Sequence, residues 1–240
     1  RGGHRRSRPR RGGTAAAVTD DDGSAAVTLR GCGAVIVNPS QTGYFRTLYP
    51  RAAFAEIVAS FERLRPADQL GLLYDARALA VVGLVRYSDV YDLVQRTPDG
   101  ADPLVFEWIA RELADTDGLY ADLPGRAAFR AYARGVLAPQ LARVGWEKRS
   151  GEADNDAILR ERLIATLSLL ADPELDAEAR KRFASGTIPG ALREEALYAV
   201  GRAADAATFD ELLERARASS ETLDKSYLYR ALAHARDPAL

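Results

Sequence analysis

From Arg51 onward, bulky apolar residues recur every three or four positions. Phe54, Ile57, Val58, Phe61 and Leu64 form the first stripe, which predicts a helix packed along one face. Pro66 opens a second helix with Leu70, Leu72, Leu73, Ala76, Leu79 and Ala80 turned inward. The same spacing predicts helices over 88–95, 103–119, 125–144 and 156–170. Asp102-Pro103 and Asp172-Pro173 each set a capping oxygen before a proline at the first helical position, where its missing N–H costs nothing.

The C-terminal third carries a longer period. Asp172, Asp205 and Asp237 fall 33 and 32 residues apart, each at a predicted helix start. Each unit reads as a shorter helix (174–184, then 207–218) followed by a longer one (191–203, then 223–235). One such pair cannot bury its apolar face alone, so the pairs are expected to stack as a HEAT-like α-α superhelix. A third unit would begin at Asp237-Pro238.

Before Arg51 the pattern differs. Three short runs, Ala25 to Leu29, Ala34 to Val37 and Tyr44 to Tyr49, are β-compatible and separated by turn residues. Three strands cannot form an independent sandwich, so they are expected to complete a β-domain whose other strands lie elsewhere. Arg1 to Gly13 holds seven arginine or histidine residues among four glycines and a proline, a composition expected to form a flexible basic arm. The predicted organisation is therefore a basic arm or linker over 1–23, the end of a β-sandwich domain over 24–49, and a helical-repeat domain over 50–240. The fold class is mainly α.

Composition narrows the chemistry. Among 240 residues the net charge is −1, which gives no global electrostatic case for nucleic acid or a membrane surface. The Arg-Gly-Gly pieces of the arm have no interleaved aromatic residues to stack on bases. No apolar run approaches the roughly 20 residues of a membrane helix. Cys32 is the single cysteine, which excludes an internal disulfide and fits a reducing, cytoplasmic setting. Methionine is absent, position 1 included, so the chain is expected to be a piece of a longer protein.

No active site assembles. The two histidines, His4 and His234, lack the partners of a His-Glu-x-x-His motif. His234 is expected near a helix C-terminus, where partial positive charge complements the dipole. The clusters Asp20-Asp21-Asp22, Asp115/Asp117 and Glu152/Asp154/Asp156 do not match a calcium loop and read as turn, solvated or capping residues. Phosphate-binding glycine loops and a Gly-x-Ser-x-Gly elbow are absent. Trp108 and Trp146 fit core positions.

The stretch from Val35 to Tyr49 nevertheless resembles a known junction. Asn38, Gly43, Tyr44, Phe45, Arg46 and Tyr49 match the segment that opens the C-terminal helical domain in the aminopeptidase N family of zinc peptidases. Asp68 to Ala80 resembles that family's second helix, and Leu141 to Glu147 with the helix carrying Leu159 to Leu163 gives a third match. The resemblance implies a non-catalytic C-terminal domain that caps the active site and gates peptide access, while the parent enzyme removes N-terminal residues from peptides. It implies no catalytic, cofactor-binding or metal residue in this chain, with zinc held by a catalytic domain outside it. The implied partners are the catalytic and β-sandwich domains of the same polypeptide and the peptides they enclose, with no nucleic acid and no membrane. The competing reading is a free-standing helical-repeat scaffold that binds another protein.

Overall fold

The computed structural model describes residues 15–17, 20–29 and 33–240. The basic arm, His4 and Cys32 lie outside the described residues. Ten α-helices follow one another among those described: α1 Arg51–Ser60, α2 Pro66–Val81, α3 Ser88–Val94, α4 Pro103–Leu119, α5 Arg126–Val144, α6 Asp154–Leu169, α7 Pro173–Ser185, α8 Arg193–Arg202, α9 Ala206–Ala218 and α10 Thr222–Leu232. The mainly α fold is as the periodicity predicts.

Local chemistry sets the helix boundaries. Asp102, Asp172 and Asp205 each cap a helix, accepting from the backbone N–H of Leu104, Leu175 and Thr208 at 2.9 Å. Asp237 instead accepts from the Ala239 amide, two residues on, within a turn that opens no helix among the described residues. Gly186 ends α7 in the left-handed region at φ +68°, and Thr187 reaches back to the Arg182 carbonyl at 2.9 Å. That is a conformation a residue with a Cβ adopts only at a cost.

Alternate helices are neighbours. α4 packs on α6, α6 on α8 and α8 on α10, while α5 lies against α6, α7 against α8 and α9 against α10. This is the order expected when pairs of helices stack. A single apolar core runs along the stack, from Ile57 and Phe61 through Leu113, Leu163 and Leu197 to Leu228.

α6 packs against α4, α5, α7 and α8, and the last carbonyls at its C-terminal end lie beyond its own helical hydrogen bonds. Four arginines from neighbouring elements serve this end instead. Arg236 donates to the Ser168 carbonyl, Arg130 to Leu169 at 3.2 Å, and Arg134 to Leu170 at 2.9 Å. Arg202 reaches the Ser168 hydroxyl at 3.3 Å. The planar, multi-donor guanidinium suits both the unpaired carbonyls and the negative end of the helix dipole.

The segments expected as strands are not strands. Among the described residues no β-ladder forms, and 25–29, 34–37 and 44–49 carry no regular secondary structure. Val27, Leu29, Val35, Val37 and Leu48 are exposed, so there is neither a neighbouring strand for the backbone nor a second layer for the side chains. A strand exists only through its partners. Between these runs, Pro39–Gln41 makes a short 3-10 turn.

Candidate functional site

The junction residues are folded onto α2 by their polar groups. Asn38 closes a loop with both ends of its side-chain amide. Its Oδ1 accepts from the Gly43 N–H at 2.6 Å and its Nδ2 donates to the Gly43 carbonyl at 2.8 Å. Inside the loop Asn38, Ser40 and Gln41 all have φ between 56° and 62°. Each left-handed non-glycine residue costs about 1–2 kcal/mol, so outside contacts must hold the loop.

α2 supplies those contacts from one face. Asp68, Gly71 and Asp75 are spaced three and four residues apart, which stacks them along the same side of the helix. Asp68 is buried, accepts the Ser40 amide at 2.6 Å and is held from behind by Arg65 at 3.0 Å. Gly71 leaves the space in which the Gln41 amide lies, because a Cβ there would collide with it. Asp75, also buried, takes Arg46 on one oxygen at 3.1 Å and the Thr47 amide on the other at 3.0 Å.

Tyr49 completes the closure. Its hydroxyl accepts from the Val37 amide at 2.9 Å. Burial pushes this phenol above its ordinary pKa despite the Val37 hydrogen bond, so it stays protonated. The structure therefore unites four of the six motif residues, Asn38, Gly43, Arg46 and Tyr49, in one clasp. The other two, Tyr44 and Phe45, are exposed, although the Phe45 ring lies against Gly43.

Beside the clasp lies an apolar groove of about 800 Å³ between the junction, α1, α2 and the 83–86 loop. Leu48, Phe54, Val58, Leu79, Leu84 and Val85 line it, with Arg86 and Asp89 paired at 2.9 Å on its rim. It offers a surface for packing, with no nucleophile and base placed to react.

Several charged residues elsewhere pair with one another. On α4 and α6, Glu107 accepts from Arg111 at 2.6 Å and from Arg162 at 3.1 Å. Asp117 is gripped by Arg126 and Arg130 through both oxygens. Burial would raise its pKa, but hydrogen bonds from Arg130 and then Arg126, with their charge, hold it down to about 2. Asp115 pairs with Arg77, Glu152 with Arg160 and Asp156 with Arg143. Asp22 accepts from the Ser24 amide and hydroxyl within its turn. Among the described residues no group of three or more His, Cys, Asp or Glu converges on a metal position. The donors among the described residues therefore do not fit a zinc ion.

His234 lies just past α10, with its ring centroid 4.7 Å from that of Tyr198. Burial and then Arg202 lower its pKa, which opposes the positive charge expected of it. Trp108 is buried edge-on to Tyr74, and Trp146 packs under the Arg182 guanidinium at 4.9 Å. No described helix is long and apolar enough to cross a membrane.

The family model described as ERAP1-like C-terminal domain matches residues 34–240. The chain belongs to this family. Matched to relatives, it is 26% identical over 214 residues to Aminopeptidase 2 of Candida albicans, covering 85% of this chain and 23% of that protein. It is 27% identical over 197 residues to Tricorn protease-interacting factor F2 of Thermoplasma volcanium, covering 82% and 24%. It is 25% identical over 216 residues to Aminopeptidase M1-A of Oryza sativa subsp. japonica, covering 84% and 25%. The chain thus spans about a quarter of the length of these relatives. The ERAP1-like match begins at Ala34, so the whole clasp from Asn38 to Tyr49 falls inside it.

Sequence reasoning found the motif but not its receptor. Asp68, Gly71 and Asp75 drew notice only as part of a family-like helix. The signal available was two acids seven residues apart, flanking a glycine, on a helix otherwise rich in inward apolar residues. Buried acids on such a face require partners.

Proposed function

We propose that this chain is the non-catalytic C-terminal domain of a zinc aminopeptidase, capping the active site and gating peptide access while the parent enzyme removes N-terminal residues. The observation that carries this reading is the ERAP1-like C-terminal match over 34–240, with relatives named as aminopeptidases about four times as long. Stacked helix pairs provide an extended wall without contributing chemistry, and a wall over a hydrolytic site controls what reaches it. On this reading the zinc and the β-sandwich lie in the catalytic and connecting domains of the same polypeptide, which is a cytoplasmic enzyme.

The test is a peptidase assay on the purified chain with and without added zinc, using peptides with free N-termini. No release of N-terminal residues is expected in either condition. Robust zinc-dependent release would overturn the reading. The alternative, a free-standing helical-repeat scaffold, draws support from the same alternate-helix packing. It requires a partner that binds this chain without any other part of an aminopeptidase.

A further inference from the structure

We propose that His234, Arg202 and Arg236 form an acid-released latch, in which protonation of the imidazole frees the 233–240 segment from α6 and α7.

Arg236 closes the latch. It donates to the Ser168 carbonyl of α6 and, at 2.7 Å, to Asp176 of α7, across 68 and 60 residues of sequence. Among the described residues no other hydrogen bond joins 233–240 to those two helices. Asp176 is buried, and its second oxygen has no partner among the described residues. A carboxylate so placed depends on Arg236 for compensation.

Positive charge crowds this closure. Arg202 on α8 reaches the same serine, donating to the Ser168 hydroxyl at 3.3 Å. Burial lowers the Arg202 pKa most; Glu195 opposes that, and the nearby charge of Arg236 adds to it. His234 comes next in the cluster, at the surface, where solvent protons reach it. Its ring lies 4.7 Å from that of Tyr198 on α8. The acids around it have other partners. Asp176 takes Arg236, while Glu194 accepts from the Tyr198 hydroxyl at 2.7 Å and pairs with Arg230 at 3.7 Å. Glu195 is pushed towards its neutral form by burial and then by Glu161 and Glu194. A proton on His234 therefore adds a third cation beside two guanidinium groups.

The direction follows from linkage. Burial and then Arg202 hold the His234 pKa below 6.5, so the seated ring binds a proton less tightly than a freed one. Protonation must then favour the freed segment. The latch is shut above 6.5 and loosens as pH falls below it.

The test is hydrogen exchange on the whole chain at about pH 7.5 and about pH 5.5, on either side of an imidazole transition, with protection corrected for intrinsic rates. The Ala235 amide, which donates to the Leu232 carbonyl at 3.2 Å, reports the root of the segment. Its protection is expected to fall about threefold at the lower pH. The Ala203 amide, bonded to the Ala199 carbonyl at 3.1 Å, is expected to hold, which separates release from general unfolding. His234→Gln should keep the protection seen at the higher pH and lose the difference, and Arg202→Gln should shrink it. An unaltered chain with the same Ala235 protection at both pH values overturns the proposal. So does an equal fall in His234→Gln; if that fall vanishes in Glu195→Gln, Glu195 is the trigger instead. Low protection of His234→Gln at both pH values would mean that ring packing, rather than charge, holds the segment, and also overturns it.

Discussion

Gly201 on α8 packs directly against the Ala231 carbonyl of α10, with no room for a side chain between the two backbones. Small residues on both sides, Ala196 and Ala199 on α8 and Ala231 on α10, let these helices approach closely. Gly201→Ala is predicted to destabilise the chain by about 1–3 kcal/mol, because the obstacle is backbone and cannot rotate away. Gly135 on α5 is the control: nothing lies near its missing Cβ. Gly135→Ala should stabilise by about 0.5–1 kcal/mol through helix propensity alone. Urea unfolding of the two variants checks the opposite signs.

Asp117 predicts an acid transition. Its folded pKa of about 2 lies below its ordinary 3.8, so the folded state holds the proton less tightly than the unfolded one. The stability this carboxylate contributes is complete above 3.8 and is lost as pH falls through about 2. Asp117→Asn should cost about 2–3 kcal/mol at neutral pH, less than a fully buried pair because Arg126 and Arg130 keep some contact with water. It should also flatten the stability profile over that acid range, as followed by circular dichroism during urea titration at each pH.

The clasp predicts a difference between two substitutions at one position. Asp75→Asn keeps an acceptor for the Thr47 amide and loses only the charge facing Arg46. Because Arg46 is half exposed, that loss should cost less than about 1 kcal/mol. Asp75→Ala removes both contacts and should cost about 1–3 kcal/mol. Hydrogen exchange at Thr47 should accelerate strongly in the alanine variant and little in the asparagine variant. Equal acceleration in both would mean that the ion pair, rather than the amide contact, holds the junction.

His234 predicts a smaller effect in a different range. Its pKa is lowered from 6.5 by burial and then by Arg202, so its neutral form is the folded one. The corresponding stability is present above 6.5 and declines as pH falls below it. An NMR titration should find the imidazole below its ordinary value. Arg202→Gln should move it back only part of the way, because burial is the larger cause.

Much of the fold was legible because its determinants are local. The stripes of Ile57 and Phe61 or Leu159 and Leu163, and the Asp-Pro starts at 102 and 172, are readable from neighbours a few residues apart. The strands over 25–29, 34–37 and 44–49 were not, because apolar alternation declares a face suited to a sheet without supplying the partner strand. The clasp escaped for a related reason. Ser40 and Thr47 meet Asp68 and Asp75 across 28 residues, and nothing in the periodicity of α2 announces which outside group its acids receive. The same holds for the arginines around the end of α6. Arg236 lies 68 residues from the carbonyl it serves, so composition revealed an abundance of arginine but not its use.

The most direct test of the central claim is the coding sequence upstream of Arg1 in the same reading frame. A non-catalytic domain of a zinc aminopeptidase requires a His-Glu-x-x-His motif there, followed by a downstream glutamate that completes the metal site. An initiation codon immediately before Arg1, with no such motif in the frame, would contradict the account.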